Sequence, residues 1–451
     1  MTATGDRRRQ QRAWYFYDFA NSAYWTTTAT VLIGPYLISL AERDACPDGA
    51  DPCTATVALA GLHLAPGALP GYVTAAATIL MALLLPIVGA FADRSPHPKY
   101  LLGGLAWTGA VAACLMFLLA GSNWQLGVAL VLVANVSFGC SLGVYDSLLV
   151  HVAEPDERDR VSSRGWALGY LAGFLLLAVN MALILLAGKD WTPFDTELAI
   201  RVSMLSAGLW WGLFTLIPVI GLRNPRREAL APRAGSPVTA PFKQLLATFR
   251  DLRKYPQTGL FLLAYVFYND GIQTVIASSS VYGQRELGFD TTQVLALFLM
   301  VQLVAVGGAL LFGRLARSFG AYRTIFIGIG GWLLVVVAAF LVPAGIYPLF
   351  LTLGVGIGLV MGGTQAMSRS LFSQLVPHAR EAEYFSLYQA AERGTSWFGA
   401  LVFSLAFQFT GSYRPSILAL IAFFVIGALL LTRVRIRQGI EQAGNTPPAL
   451  L

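Results

Sequence analysis

Long apolar runs alternate with short polar breaks along the whole chain. The runs fall at 13–40, 69–92, 100–120, 125–152, 164–187 and 199–222, and, after a basic stretch, at 257–282, 290–318, 321–343, 346–372, 384–410 and 413–433. Each reaches or exceeds the roughly 20 residues that a helix needs to cross a bilayer. They are unbroken, where a membrane barrel would show alternation. The pattern predicts an all-α integral membrane protein with twelve transmembrane helices in two six-helix bundles. The N-terminal bundle is expected over 13–222, a linker over 223–256, the C-terminal bundle over 257–435 and a tail over 436–451. The first run is too long for a cleaved signal peptide, and it carries Asp18 and Asn21 where such a peptide is apolar. Near the linker's end, Phe242, Leu245, Leu246, Phe249 and Leu252 have helical spacing among basic residues, and Pro241 suits a helix start. An amphipathic helix on the inner leaflet is expected there. The polar, proline-containing stretch 438–451 is expected to be disordered.

Composition supports this pattern. Of 451 residues, 56% are hydrophobic and 12% charged, whereas soluble domains carry about 25% charged residues. So little charge cannot coat a soluble surface. The net charge of +7 would suggest a nucleic-acid partner in a soluble chain, but here topology explains it. With the N-terminus inside, 25 of the 31 Lys and Arg fall at the inner ends of the runs, five at the outer ends, and Arg393 lies within a run. The positive-inside rule then puts both termini and the linker in the cytoplasm, in a multi-pass protein of the cytoplasmic membrane. Cys46 and Cys53 share an outer loop and form a possible disulfide if it faces an oxidising compartment.

Ionisable residues inside apolar runs are costly, so each is a functional candidate. They are Asp18, Asp146, Asp270, Arg369, Glu392 and Arg393. Asp270 sits near mid-span. It could carry a proton, bind a substrate amine, or pair with Arg393 or Arg369. Arg393 could bind a substrate carboxylate or hold the halves together. Polar residues gather in runs one, four, seven and ten, including Asn21, Asn135, Tyr268, Asn269, Gln273 and Gln365, whereas runs three, nine and twelve are almost purely apolar. The former set is expected to wall a polar pathway and the latter to face lipid. Gly165, Gly169 and Gly173, and likewise Gly354, Gly358 and Gly362, are spaced for close helix packing.

The halves also resemble each other. The segment 149–158 reads Leu-Val-His-Val-Ala-Glu-Pro-Asp-Glu-Arg, and 371–380 reads Leu-Phe-Ser-Gln-Leu-Val-Pro-His-Ala-Arg. Such a duplication is a transporter plan. No Walker, Gly-x-Ser-x-Gly or His-Glu-x-x-His motif occurs, and the four His lack metal spacing. No enzymatic activity, cofactor, metal or nucleic-acid partner is expected. The expected partners are a small-molecule substrate, protons and the lipid bilayer, and the chain is expected to act as a monomer.

Gly89-Ala-Phe-Ala-Asp93-Arg94 resembles the first part of the loop signature of the major facilitator superfamily. The usual Gly-Arg-Arg ending is replaced by Ser95-Pro-His-Pro-Lys99. The resemblance implies that Gly89, Asp93 and Arg94 belong to a gate. Four further stretches are similar to the vacuole-effluxer-like branch of that superfamily: Trp14 to Tyr24, Gly165 to Tyr170, Phe267 to Thr274, and Gly362 to Ser370. Its yeast members export amino acids from the vacuole, and its bacterial members are mostly of unknown substrate. The resemblance implies a secondary active transporter working by alternating access. From the polar and ionisable residues inside the runs, the expected cargo is a small polar solute, amino acids among the options, with transport coupled to protons. Asn21, Tyr268, Gln273 and Gln365 would contact that solute. Export of amphipathic drugs or lipids is the alternative within transport, and a non-transporting receptor or scaffold is the alternative outside it.

Overall fold

Helices dominate the computed structural model, which describes residues 3–48, 53, 55–59, 61–189, 195–224, 250–394 and 397–451. Helix α1 (Ala3–Tyr24) continues through a π-helical stretch, Trp25–Leu32, into α2 (Ile33–Ala45). The following loop contains a Cys46–Cys53 disulfide. It also forms a hairpin of β1 (Val57–Leu59) and β2 (Leu62–Leu64), with Val57 opposite Leu64. Next come α3 (Leu69–Arg94), α4 (Pro98–Leu115), α5 (Trp124–Ser147), α6 (Arg158–Leu186) and α7 (Thr196–Gly221). The second half holds α8 (Pro256–Val281), α9 (Thr291–Leu341), α10 (Tyr347–Leu375), α11 (Glu381–Gly394) and α12 (Trp397–Thr410). It ends with α13 (Tyr413–Ala419), α14 (Ile421–Arg433) and α15 (Ile436–Gln442).

Local chemistry sets the helix ends. Prolines open α3, α4, α8 and α10, where the missing N–H costs no hydrogen bond. Asp195 accepts from the Leu198 amide at 2.7 Å, and Asp290 from the Gln293 amide at 2.8 Å, capping α7 and α9. Helix α9 is two helices meeting at Gly320, whose φ of 80° suits glycine. That turn separates the runs expected at 290–318 and 321–343.

Among the described residues nine helices are long and apolar enough to cross a membrane, and α9 counts as one of them. The run at 13–40 is helical but diluted by its threonines, and the run at 384–410 is divided between α11 and α12. The most buried of the nine contain α5, α8 and α10, at 72%, 61% and 61%, against 33–44% for the others. These three are therefore interior helices, and the others expose apolar faces as lipid requires.

Among the described residues two large apolar cores form, with a small third cluster of Ala23, Ala172, Leu176 and Ala207. One gathers residues before 223 around Trp14, Trp124 and Trp211; the other gathers residues after 251 around Trp332, Phe372 and Phe424. Tyr170 of α6 enters the second core and Ala382 of α11 the first, so the halves interlock. The amphipathic helix near 241–254 lies mostly outside the described residues, of which only 250–252 is seen as helix. The tail is ordered, contrary to expectation. Ile436 and Ile440 are buried, the Asn445 amide donates to the Gln374 and Val376 carbonyls at 2.8 Å each, and the Ala449 N–H donates to Asp156 at 2.7 Å. Ile436 and Ile440, spaced i, i+4, put two apolar side chains on one face of α15, which the polar composition of the stretch conceals.

Candidate functional site

Between the cores lies a cavity of about 430 Å³. Its walls come from α1, the π-helical stretch, α3, α5, α6, α8, α9, α10 and α11, and among the described residues none comes from α4, α7 or α12–α15. Runs one, four, seven and ten thus line it, and so do runs two, five, eight and eleven. The second set was less legible because its cavity faces carry few polar residues, such as Thr74, Thr78 and Gln302. The walls are also richer in apolar and aromatic groups than expected, with Trp25, Phe138, Trp166 and Phe298 among them.

Seven expected site residues line this cavity: Asp18, Asn21, Gln273, Gln365, Arg369, Glu392 and Arg393. Tyr268, Asn269 and Asp270 do not. The Tyr268 hydroxyl is bonded to Ser368 Oγ at 2.7 Å, and Asn269 donates to the Glu392 carbonyl at 3.0 Å. Asp270 is buried against α12, where its Oδ2 accepts from the Gly399 amide at 2.7 Å. Helices α11 and α12 cover this side of α8 and remove it from the cavity. Of the options open to Asp270, pairing with Arg369 or Arg393 is not what forms.

Arg369 instead forms a clasp between the halves. Its Nη2 lies 3.0 Å from Asp18 Oδ2, and its Nη1 lies 3.1 Å from Asp146 Oδ1 and 3.4 Å from Asp18 Oδ1. Its Nε donates to Ser162 Oγ at 3.0 Å, and Nη2 also donates to the Ser162 carbonyl at 3.1 Å. All five N–H groups of the guanidinium thus have acceptors, which a buried charge needs. Trp14 and Trp166 flank it at 4.8 and 5.2 Å, within cation–π range. The Tyr145 hydroxyl donates to Asp18 at 2.8 Å, and Gln389 donates to Asp146 at 2.7 Å. Gly165 permits this approach: a Cβ there would lie 2.4 Å from Asp18 Oδ2 and 2.9 Å from the Trp14 ring.

A second seal lies beyond the clasp. Asp93, at the end of α3, accepts from the Ala382 and Glu383 amides at 2.9 and 2.8 Å. An N-terminal carboxylate cap is thereby supplied to α11 from the other half of the chain. A Cβ on Gly89 would meet Ser386 Oγ at 2.5 Å and the Ala382 carbonyl at 2.6 Å, so only glycine lets α3 and α11 close. Arg94 is exposed, and Lys99 donates to the Leu222 carbonyl at 2.9 Å within its own half. Arg158 donates to the Ser373 carbonyl at 2.8 Å, and Gln374 donates to the Pro155 carbonyl at 2.9 Å. These contacts seal the ends of the helices that carry the basic loops. The cavity extends from the clasp toward the ends that carry the Cys46–Cys53 loop.

Higher in the cavity, Gln302 donates to Thr26 Oγ1 at 2.8 Å and Tyr170 donates to Gln365 Oε1 at 2.5 Å, both between halves. Arg393 lies beside the stacked pair of Trp25 and Phe138, 4.6 and 4.7 Å from their ring centroids, and donates from Nε to Gln389 at 3.2 Å. Gln302, Tyr170 and Gln389 were missed as site residues. The signal for Gln302 was a lone amide in an otherwise apolar stretch of run eight.

Helices around a central cavity, closed at one end by ion pairs and helix caps between the halves, are the plan of a major facilitator superfamily transporter. Solved structures share that fold. The proton:xylose symporter XylE, bound to 6-bromo-6-deoxy-D-glucose, aligns with a TM-score of 0.72 at 13% identity, over 98% of this chain and 99% of its own. A bacterial homologue of the iron transporter ferroportin, in its outward-facing state, aligns with a TM-score of 0.67 at 13% identity, over 95% and 98%. Within this class, the chain belongs to the vacuole effluxer Atg22-like family, whose model matches residues 6–444. An uncharacterized MFS-type transporter of Bacillus subtilis (strain 168), YxiO, is 30% identical over 426 residues, covering 94% of this chain and 95% of that one. Autophagy-related protein 22-1 of Phaeosphaeria nodorum is 25% identical over 437 residues, covering 82% and 76%.

Proposed function

We propose that the protein moves a small polar solute across the cytoplasmic membrane by alternating access, coupled to protons. In this reading twelve helices cross the bilayer as two bundles, 13–222 and 257–435, joined by the linker 223–256. The basic loops, both termini and the tail 436–451 lie on the cytoplasmic side, and the chain acts as a monomer. The arrangement described above is then an outward-open state. The observation that carries the reading is the clasp: a solute-sized cavity ends at a fully bonded Arg369 that joins α1, α5 and α6 to α10. Breaking those contacts while closing the opposite end would expose the same cavity to the other side.

Solute recognition falls to the polar cavity groups. Asn21, Gln273 and Gln365 offer amides, and Arg393, beside the stacked Trp25 and Phe138 rings, offers guanidinium N–H groups to a carboxylate. Amino acids fit this chemistry and are the first class to test. The aromatic walls support a second reading, export of an amphipathic drug or lipid. The test is counterflow: proteoliposomes are preloaded with unlabelled amino acids and uptake of single labelled ones is followed, with and without a pH gradient. Counterflow of one of them, increased by the gradient, is the expected result. No counterflow by folded protein would refute the amino-acid reading; a lipid-transfer assay would then separate the amphipath exporter from a non-transporting receptor or scaffold.

A further inference from the structure

The clasp is unbalanced in charge. One guanidinium meets two carboxylates, and the side chains of Arg369, Asp146 and Asp18 are only 2%, 2% and 7% exposed. The two acids are held differently. Asp18 takes N–H bonds from both terminal nitrogens of Arg369 and a third bond from the Tyr145 hydroxyl. Asp146 takes one guanidinium bond on Oδ1, at 3.1 Å, and one neutral amide bond from Gln389 on Oδ2, at 2.7 Å. Asp146 is therefore the less compensated of two enclosed carboxylates.

Among the described residues, its surroundings supply no second cation in contact. From α1 it faces Asp18, and Tyr17 hydrogen-bonds to Ser141 on Asp146's own helix. From α11 it faces Gln389 and the carboxylate of Glu392, which accepts from Tyr265; Arg393 acts on it only from a distance and donates to Gln389. Helices α3 and α4 meet α5 through Met81, Leu85 and Gly109, none of them ionisable. Asp146 also lines the cavity, so a proton can reach it from the open side without crossing the seal.

We propose that Asp146 is the proton-binding site that couples transport to the opening of the clasp. This rests on the transport reading and names the coupling residue within it. A proton from cavity water adds to the Asp146 carboxylate on Oδ1 and gives a neutral carboxyl. The Arg369 Nη1 bond to that oxygen is lost, and Asp18 and Ser162 alone then hold the Arg369 guanidinium. When the halves part at the basic-loop end, the proton leaves to water on that side. The regenerated carboxylate then re-forms the clasp.

The experiment measures the distance between spin labels on the full chain in lipid nanodiscs. Labels at Tyr100→Cys and Ser318→Cys report on exposed positions of the two halves at the basic-loop end, in a background carrying Cys114→Ser and Cys140→Ser. Going from pH 8 to pH 5.5 is expected to raise the ratio of long to short distances about tenfold, as loss of one charge-assisted bond implies. Asp146→Asn is expected to show the low-pH ratio at both pH values, and Asp146→Glu to restore the response. Asp18→Asn raises the ratio but keeps its pH dependence. A pH response that survives in Asp146→Asn overturns the proposal. So does a shift driven at fixed pH by exchanging potassium for sodium. If Asp146→Asn does not fold, Gln389→Met removes only the neutral amide bond and must displace the midpoint of the transition; an unmoved midpoint overturns the proposal. Wild-type counterflow without any pH response refutes this inference alone. A pH response with no solute counterflow refutes the amino-acid reading instead.

Discussion

Replacing Asp93 by asparagine keeps the shape of the side chain and removes its charge. In the closed arrangement the carboxylate accepts from two amides at the start of α11, at 2.9 and 2.8 Å. Asparagine offers one oxygen and one NH2 group, so one amide keeps a neutral acceptor and the other faces a donor. Loss of one charge-assisted hydrogen bond costs about 1.5–3 kcal/mol, and loss of the charge at a helix N-terminus about 0.3–1 kcal/mol more. Taking about 2 kcal/mol as the lower end, the closed-to-open ratio falls roughly thirtyfold. Ser386 is a suitable reporter because it is fully buried in this seam, with Gly89 and Gly143 against it. In a Ser386→Cys chain lacking Cys114 and Cys140, a membrane-impermeant maleimide applied from the basic-loop side reads the open fraction as an alkylation rate. Asp93→Asn should raise that rate about thirtyfold while thermal melting moves little. A rate within about threefold of the parent, less than 1 kcal/mol, would refute the capping argument.

Other expectations follow from the same seal and cavity. Gly165→Ala puts a Cβ 2.4 Å from Asp18 Oδ2 and should destabilise the closed form by about 1–3 kcal/mol. Gly307→Ala, with nothing within 4 Å of its Cβ, should melt like the parent, and equal melting and alkylation of the two variants would contradict the packing argument. Arg369→Lys replaces a five-donor fork by an ammonium that cannot span Asp18, Asp146 and Ser162 together, so counterflow should fall at least tenfold at unchanged expression. Trp25→Ala removes one ring from Arg393 and should weaken binding of carboxylate solutes by about 0.5–2 kcal/mol, read as a raised KM in counterflow. Asn445→Ala removes two hydrogen bonds that hold the tail on Gln374 and Val376, and limited proteolysis should then cut the tail faster.

Particular residues show how far the sequence could be read. Apolar run lengths located most helices to within about six residues, including the turn at Gly320, because lipid asks each span for enough apolar length with internally bonded backbone; α1, which begins at Ala3, and the run 384–410, divided between α11 and α12, are the exceptions. The clasp residues Asp18, Asp146 and Arg369 stood out for the same reason, as charges where charge is expensive. Their pairing did not. Asp270 and Arg369 looked equally available to each other along the chain, and only the packing of α11 and α12 over α8 turned Asp270 toward Gly399 and away from the cavity.

Local composition and the solvent around each segment were enough to establish the class of protein, the course of most of its helices and the short set of charges that need partners. The tertiary structure decided which charge meets which, which end of the cavity is sealed, and that α15 and the tail fold back onto the basic-loop face. Those outcomes depend on contacts between residues more than 200 positions apart, such as Asp18 with Arg369 and Asp93 with Ala382. Angles and rotations between packed helices set such contacts, and no local periodicity encodes them.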